Sequence, residues 1–391
     1  MTTHAPTTVA EGPSAAVQWR LPFGLLRDLQ RPGQVFENLG PNWYASIMGT
    51  GIVANAAVTL PAYVTGLRAA ATVVWALAAA MLVALTAAWA VHWYRYPARA
   101  KAHADNPIIA HFWGAPAMAL MTVGAGTLTL GQQWIGLPTA VAADIALWLA
   151  GTILGLFVAV WIPFRAMTRH DVPPDGAFGG WLMPIVPPMV SAALGALLVP
   201  YAPAGQLRLT LLLACYAMFG ISLFATVIII TQIWSRLVHY KAGPAALVPT
   251  VWIVLGPLGQ SVTAANGLGS VAPLALPGPY ATGAQVLGLV YGVPTWGFAM
   301  MWLALAAALT IRTALAGLPF SLTWWSFIFP IGTCVTGTSL LALRTGAIGL
   351  QYAAVALYVL LVLAWLTVAV RTARLSATGR IFLPQPLPAS T

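Results

Sequence analysis

Long apolar runs alternate with short polar connections along most of the chain. An apolar run of about twenty residues is long enough to cross the hydrocarbon core of a bilayer as a helix. Ten runs of about that length are present, near residues 42–62, 69–91, 108–130, 139–162, 181–200, 209–234, 247–268, 284–309, 319–343 and 348–370. The pattern predicts an all-α integral membrane protein with ten transmembrane helices.

The odd-numbered runs differ from the even-numbered runs in glycine and proline content. Run two contains "AAATVVWALAAAMLVALTAAWAV" and run ten contains "QYAAVALYVLLVLAWLTVAV", two stretches without Gly or Pro. The odd runs instead carry "MGTG" (48–51), "PIVPPMV" (184–190) and "GPLGQSVTAANGLG" (256–269). Because the odd runs begin near residues 42, 108, 181, 247 and 319, a helical hairpin of about seventy residues is predicted to repeat five times.

Irregular backbone at membrane depth is tolerated where protein buries it or where it lines a wet cavity. We therefore predict that the odd helices form an inner layer around a central path and that the even helices form an outer layer facing lipid. The alternative is that Gly and Pro only let neighbouring helices pack closely. The candidate pore-lining residues are Gly49, Thr50, Gly51, Pro116, Pro187, Pro257, Ser261, Pro330 and Thr333.

Composition supports a lipid environment, since 60% of the residues are hydrophobic and only 6% are charged, against about a quarter charged in soluble domains. Of the 17 Lys and Arg residues, all but three fall on one side of the predicted spans. This asymmetry predicts a multi-pass protein of the cell (inner) membrane with both termini cytoplasmic. It also explains the net charge of +10 without nucleic acid. The predicted division is a tail (1–40) without a cleaved signal peptide, a transport domain (41–371) and a second tail (372–391).

The three cations predicted on the outer side are Arg68, Arg208 and Arg344, which would steer anions to an outer mouth or anchor the helices at the interface. Of the seven acids, only Asp144 lies outside the tails and the predicted cytoplasmic loops. A cation path normally carries carboxylates in its core or at its mouths, so the sequence favours an anion. Asp144 is interpreted either as a proton relay or as a carboxyl that is hydrogen-bonded to Ser, Trp or backbone groups.

Sequence signatures of catalysis and of metal binding are missing. There is no phosphate-binding loop, no HExxH motif, no nucleophile elbow and no pair of membrane carboxylates. The histidines have no ligand spacing on a predicted membrane helix, and the two cysteines both lie in apolar runs. We therefore expect no enzyme activity, no cofactor and no metal. The partners expected are the lipid bilayer and a small anion.

Five stretches, one in each odd run, carry a family resemblance: "PNWYASIMGTGIV" (41–53), "HFWGAPAMALMTVGAG" (111–126), "PIVPPMVSAALGALL" (184–198), "LGPLGQS" (255–261) and "WWSFIFPIG" (324–332). Together they resemble the tellurite-resistance/dicarboxylate transporter family, which includes malic acid permeases, sulfite efflux pumps, bacterial tellurite-resistance proteins and plant slow anion channels. The resemblance implies five hairpins with quasi-fivefold symmetry, inner helices bent at prolines around a pore, and a homotrimer.

The resemblance also implies a gate, because an aromatic residue just before a Pro or Gly of the ninth helix plugs the pore in the channel arm of the family. That position is Phe329 here. Phe327 is the weaker candidate, and Trp324 and Trp325 fit interface anchors better.

The expected function is membrane transport of small anions, with C4-dicarboxylates such as malate as the leading class. The alternatives are sulfite or tellurite-related efflux and a passive monovalent anion channel. A membrane scaffold or receptor without transport is the competing class.

Overall fold

The computed structural model describes residues 24–62 and 64–383, and every regular element in this part of the chain is a helix. Most of the first predicted tail (1–23) and the end of the second (384–391) lie outside the described residues. A principal helix overlaps each of the ten predicted runs: α1 (Tyr44–Thr59), α2 (Leu67–Arg95), α3 (Gly114–Gly126), α4 (Leu137–Thr168), α5 (Val186–Leu198), α6 (Gln206–Tyr240), α7 (Leu255–Val271), α8 (Gly278–Leu315), α9 (Ile328–Thr345) and α10 (Ile348–Thr378).

Among the described residues, seven helical spans are long and apolar enough to cross a membrane, and Val186–Tyr201 is a shorter apolar helix. The seven comprise all five even-numbered helices, together with Ala245–Leu274 around α7 and Leu322–Thr345 around α9. These spans confirm an all-α membrane protein. Ten crossings, quasi-fivefold symmetry and the predicted domain bounds stay predictions.

The odd and even helices occupy different layers. In the most apolar stretch of each even helix, only 17% to 33% of the residues are buried, against 83% around α7 and 89% around α9. The odd helices form a closed ring in which α1 packs against α3, α3 against α5, α5 against α7, α7 against α9, and α9 against α1. Each even helix packs against the odd helix that precedes it. The odd helices are therefore the inner layer.

Each inner helix is preceded by a 3₁₀ stretch: Pro41–Trp43, Ile109–Trp113, Gly179–Leu182, Ala245–Val254 and Leu322–Phe327. The third residue of the following α-helix is a proline in four of the five helices, namely Pro116, Pro188, Pro257 and Pro330. A proline is tolerated in the first helical turn, where the backbone N–H has no partner four residues earlier in that helix. The prolines thus mark the start of four of the five inner α-helices, whereas the sequence suggested breaks in the middle of a span.

Glycine allows the inner helices to approach closely. A Cβ added to Gly259 of α7 would lie 2.6 Å from the backbone nitrogen of Cys334 in α9. A Cβ added to Gly332 of α9 would lie 2.5 Å from Ile52 of α1. At Gly259 and Gly332, the contacts support the alternative interpretation, in which glycine lets neighbouring helices pack closely.

Candidate functional site

The inner helices enclose a cavity of about 270 Å³, which we call the wide cavity. Every one of the five contributes to its wall, through Ile52, Asn55, Val58 and Thr59 of α1, Ala193, Leu194, Ala196 and Leu197 of α5, Gln260, Thr263, Gly267, Ser270 and Val271 of α7, Thr336 and Leu340 of α9, and Ala125 of α3 with Thr129 just beyond it. This lining contains no charged side chain.

Two amides provide the strongest polar groups of the wide cavity. Neither Asn55 Oδ1 nor Gln260 Oε1, both buried, has a hydrogen-bond partner within the described part of the chain. Asn55 Nδ2 donates to the carbonyl of Thr122 at 3.0 Å. The hydroxyls of the lining are engaged, since Thr129, Thr263 and other lining residues donate to carbonyls of their own helices. An entering ligand would therefore meet the amides before it met free hydroxyl donors.

A second cavity, which we call the narrow cavity, has a volume of only about 10 Å³, about the space of one water molecule. All five inner helices or their 3₁₀ stretches reach it. Its lining is dominated by bulky side chains, namely Met48, Met118, Met183, Phe112, Trp325 and Phe329, beside Ala45, Val186, Ile253, Gly256, Ser326 and Pro330.

The two cavities are stacked along the ring. In every inner segment, the residues that line the narrow cavity precede those that line the wide cavity. In α1 the step runs from Met48 to Ile52, and in α7 from Gly256 to Gln260. Four residues of α-helix rise by about 6 Å. The gap is six or seven residues in the other three segments, so one to two helical turns separate the cavities, and both lie between the same five helices.

The two phenylalanines of "WWSFIFPIG" have different surroundings. Phe329 lines the narrow cavity, whereas the ring of Phe327 packs edge-on against Trp252 at 5.3 Å and against Trp324 at 5.7 Å between centroids. Phe329 is the second residue of α9, and the corresponding residues of the other inner helices are Ala45, Ala115, Pro187 and Gly256. Among these five positions only Phe329 is aromatic, and the other two rings of the narrow cavity, Phe112 and Trp325, come from the preceding 3₁₀ stretches.

The structure does not support the interpretation of Trp325 as an interface anchor. Trp325 is buried, lines the narrow cavity and donates from Nε1 to Thr372 Oγ1 at 3.1 Å. Trp324 keeps the surroundings of an anchor, because the guanidinium of Arg371 lies 4.8 Å from its ring.

Most of the other pore-lining candidates lie between helices. Of the nine candidate pore-lining residues, only Pro330 lines either the narrow or the wide cavity. Gly49 faces the ring of Trp325 and Gly51 faces Thr122. Thr50 Oγ1 accepts from Trp365 Nε1 at 3.2 Å, and Ser261 Oγ accepts from the Tyr291 hydroxyl at 2.8 Å. The hydroxyl of Thr333 donates to the Leu255 carbonyl at 3.2 Å. Pro187 packs against Gly155 of the outer helix α4. Pro116 and Pro257 contribute to neither cavity.

Two of the three candidate steering cations contact the wall of the wide cavity. Arg68 donates to the carbonyl of Thr129 at 2.8 Å. Arg344 donates to Asn266 Oδ1 at 2.9 Å and to Ser270 Oγ at 2.8 Å. Thr129 and Ser270 both line the wide cavity. Arg208 instead donates to the carbonyl of Ala202, which is not part of that wall.

Sequence reasoning missed the amides and the methionines. Asn55 and Gln260 carried a usable signal, because an amide inside an apolar run needs a polar partner or a ligand. Met48, Met118 and Met183 carried none, because a methionine in an apolar run is ordinary core. Within the described ranges, no group of three or more His, Cys, Asp or Glu side chains could hold a metal ion.

Comparison with known proteins adds the following. A family model described as SLAC1, voltage-dependent anion channel, matches residues 38–373. A transporter of Methanocaldococcus jannaschii, named as uncharacterized, is 25% identical over 352 residues, which are 89% of this chain and 96% of that protein. The sulfite efflux pump of Arthroderma otae is 27% identical over 357 residues (88% and 92%), and that of Trichophyton rubrum is 28% identical over 314 residues (77% and 81%).

Proposed function

The chain belongs to the voltage-dependent anion channel family, and on that basis we propose that it carries small anions, sulfite in particular, through the path formed by the wide and narrow cavities. Membership confirms the resemblance that the five sequence stretches indicated. The family comprises anion channels and transporters. The substrate and the gate belong to the proposal. The direction of transport is left open, and the homotrimer stays a prediction.

One observation carries this proposal: two cavities stacked between the same five helices, with two amides and no charged side chain in the otherwise largely apolar wall of the wide one. The side-chain N–H groups of such amides, rather than their unpartnered oxygens, can replace part of the water shell of an anion without holding it as tightly as a buried cation would. Transport needs such moderate binding, because a tightly held ion does not leave.

The substrate class follows from the same wall. A C4-dicarboxylate carries two separated charges and would be best matched by two cationic partners, which the lining of the wide cavity lacks. A compact oxyanion such as sulfite needs only one set of donors. The two fungal relatives that bear the name sulfite efflux pump support this choice. Malate, the leading class from the sequence, remains a prediction to be tested beside sulfite.

In the proposed mechanism, Phe329 controls passage. The narrow cavity holds about one water, so an anion passes only if a bulky side chain moves. The three methionines of the lining are flexible and can rearrange, while the ring of Phe329 must rotate as a unit. Arg68 and Arg344, which contact the wall of the wide cavity, would raise the local concentration of anions.

The test is flux through the purified protein in proteoliposomes, with sulfite, nitrate and malate as separate probes. We expect sulfite and nitrate to cross faster than malate. Phe329→Ala should raise nitrate flux about tenfold, because it removes the ring that closes the narrow cavity. Phe327→Ala is the matched control, since its ring packs against Trp252 outside the cavity, and it should leave the flux within about twofold.

Equal nitrate flux in the wild type and in Phe329→Ala would overturn the assignment of Phe329 as the gate. Malate flux above sulfite flux would overturn the substrate assignment and return the dicarboxylate prediction to first place. The current recorded together with the flux distinguishes a channel from an electroneutral exchanger.

A further inference from the structure

Asp144 is a buried carboxyl that the proposed path does not use. It lies in the first third of α4 and is 1% exposed. Neither Oδ1 nor Oδ2 has a hydrogen-bond partner among the residues that the structure describes. The interpretation from the sequence, a hydrogen bond to Ser, Trp or backbone groups, is therefore wrong for this conformation. An acid that is left without a partner in the membrane is a candidate functional group.

The carboxyl packs against bare backbone of the inner layer. A Cβ added to Gly124 of α3 would lie 2.6 Å from Asp144 Oδ1 and 3.6 Å from Asp144 Cα. The next residue along α3, Ala125, lines the wide cavity. The backbone of one glycine-containing helical turn thus separates Asp144 from the proposed path.

No charge compensates an ionised Asp144. The elements that pack against this part of α4 are α3, the π-helical turn Thr127–Gly131, the short helix Gln132–Ile135 and α5, and none of them contains a titratable side chain. On α4 itself, Arg165 lies at the opposite end and pairs with Asp105. His111 belongs to the 3₁₀ stretch that leads into α3, before its first turn. Cys215 of α6 meets Gly195 beside Trp148, one turn beyond Asp144.

An ionised carboxylate in this setting would be strongly destabilised, because it has neither a counter-charge nor a hydrogen-bond donor. Asp144 therefore holds a proton while α4 is packed against Gly124. Releasing that proton to water requires water to reach the carboxyl, which separates α4 from the wall of the wide cavity.

We propose that Asp144 is a proton-binding site and that loss of its proton loosens the α3 wall of the wide cavity. Low pH then favours the tightly packed, neutral wall, and high pH favours a looser wall that carries a negative charge beside Ala125 of the cavity lining and slows anion passage. Only the flux readout below rests on the proposed anion transport. The protonation of Asp144 is tested without any anion.

The first experiment is infrared spectroscopy of the purified full-length protein in neutral buffer. The carbonyl stretch of a protonated carboxylic acid should be present in the wild type, absent in Asp144→Asn and retained in Thr152→Val. Thr152 is the matched control, because it lies two turns further along the same face of α4 and donates to Ser191 Oγ at 2.9 Å. A wild-type spectrum without this band, or a band that persists in Asp144→Asn, would overturn the proton site.

The second experiment measures nitrate flux in proteoliposomes as a function of pH. Nitrate is the probe because it keeps its charge, whereas sulfite exchanges a proton with water near neutral pH. Wild-type flux should fall at least about threefold between about pH 6 and about pH 8, because the unprotonated carboxylate repels nitrate beside the wide cavity. Asp144→Asn should stay near the wild-type value at low pH throughout, and Thr152→Val should follow the wild-type curve.

An unchanged pH profile in Asp144→Asn would refute the link between Asp144 and the wall, even with the infrared band in place. Absence of nitrate, sulfite and malate flux in the wild type at every pH would refute the proposed function, and the infrared result would still decide the proton site.

Discussion

The narrow and wide cavities lie between the same five helices, one to two helical turns apart, yet they offer an ion different surroundings. Phe329, Phe112, Trp325 and three methionines close the narrow cavity. Small residues, aliphatic side chains, hydroxyl-bearing residues and two amides line the wide cavity, which contains no aromatic ring and stays open. The difference lies in side-chain volume and polarity at successive levels of one ring. A membrane protein can thus place a barrier and a binding chamber on one scaffold by changing a few inward-facing residues.

The start of each inner α-helix explains where the barrier lies. At the second residue of α1 and α7, Ala45 and Gly256 line the narrow cavity and leave room for the ring of Phe329. A ring at this position in two facing helices would overfill the space. Phe329 is therefore the aromatic part of the barrier that belongs to an inner α-helix, beside Phe112 and Trp325 of the preceding 3₁₀ stretches.

The largest expected effect comes from placing a negative charge in the wide cavity. Gln260→Glu should lower nitrate flux about a hundredfold at alkaline pH, because like charges about 6 Å apart at an effective dielectric constant of about 20 repel by about 3 kcal/mol. Gln260→Met, of similar volume and without charge, should lower the flux by about tenfold or less, since it loses only the amide. Equal losses in the two variants would contradict an electrostatic role of the wide cavity.

Two glycines of α7 separate ring packing from the path. Gly259→Ala places a Cβ 2.6 Å from the backbone of Cys334 and should lower the apparent Tm in detergent by several degrees, in line with about 1–3 kcal/mol of overpacking. Gly256→Ala has its nearest new contact at 3.8 Å, to Pro330. It should leave the Tm within about one degree and reduce nitrate flux, because the methyl group enters the narrow cavity. The reverse assignment of the two effects would show that the barrier lies elsewhere.

A smaller effect is expected at the wall of the wide cavity. Arg344→Gln removes a cation bonded to Ser270, a lining residue, and should reduce nitrate flux about threefold at low salt. The loss should shrink above about 0.3 M salt, since mobile ions screen the field. Arg208→Gln is the control, because Arg208 bonds to the carbonyl of Ala202 away from this wall. A loss that persists at high salt would indicate a structural role for Arg344.

The smallest effect concerns stability away from both cavities. His103 Nε2 lies 3.2 Å from His92 Nε2, and His92 Nδ1 donates to the Phe36 carbonyl at 2.7 Å. Burial, and then the nearby His92, lowers the pKa of His103 to about 4, so His103 is neutral in the folded protein at neutral pH.

Between about pH 6.5 and about pH 4, the unfolded chain therefore binds more protons at His103 than the folded protein does, and stability falls as the pH falls. His103→Gln should flatten the dependence of apparent Tm on pH in this window. His239→Gln, at an exposed position, should keep the wild-type slope. Parallel curves for wild type and His103→Gln would show that other groups govern the acid response.

Much of the fold could be predicted from the sequence, since each of the ten runs contains a helix and the glycine-rich runs form the inner layer. The position of the prolines within the inner helices could not be predicted from the sequence. Pro330 occupies the first turn of α9 because a 3₁₀ stretch precedes it, and hydropathy does not distinguish a 3₁₀ turn from an α turn.

The candidate site was predicted less completely. Phe329 and Pro330 do line the narrow cavity, but Thr50 and Ser261 face outer helices. Their hydroxyls made them attractive candidates. Hydroxyl content, however, does not reveal which side of a helix a residue occupies, and a Ser or Thr can satisfy itself on the backbone of its own helix.

Composition and the alternation of glycine-rich with plain runs determined the membrane environment, the helical class and the two layers, because lipid exposure and backbone irregularity are properties of a stretch of sequence. Only the tertiary structure decided which residues meet at the axis. An inner helix is apolar on every face and packed on every face, so no amphipathic pattern reveals its rotation. Asn55, Gln260 and Phe329 come from helices distant in sequence, and the closure of the five-helix ring brings them to one path.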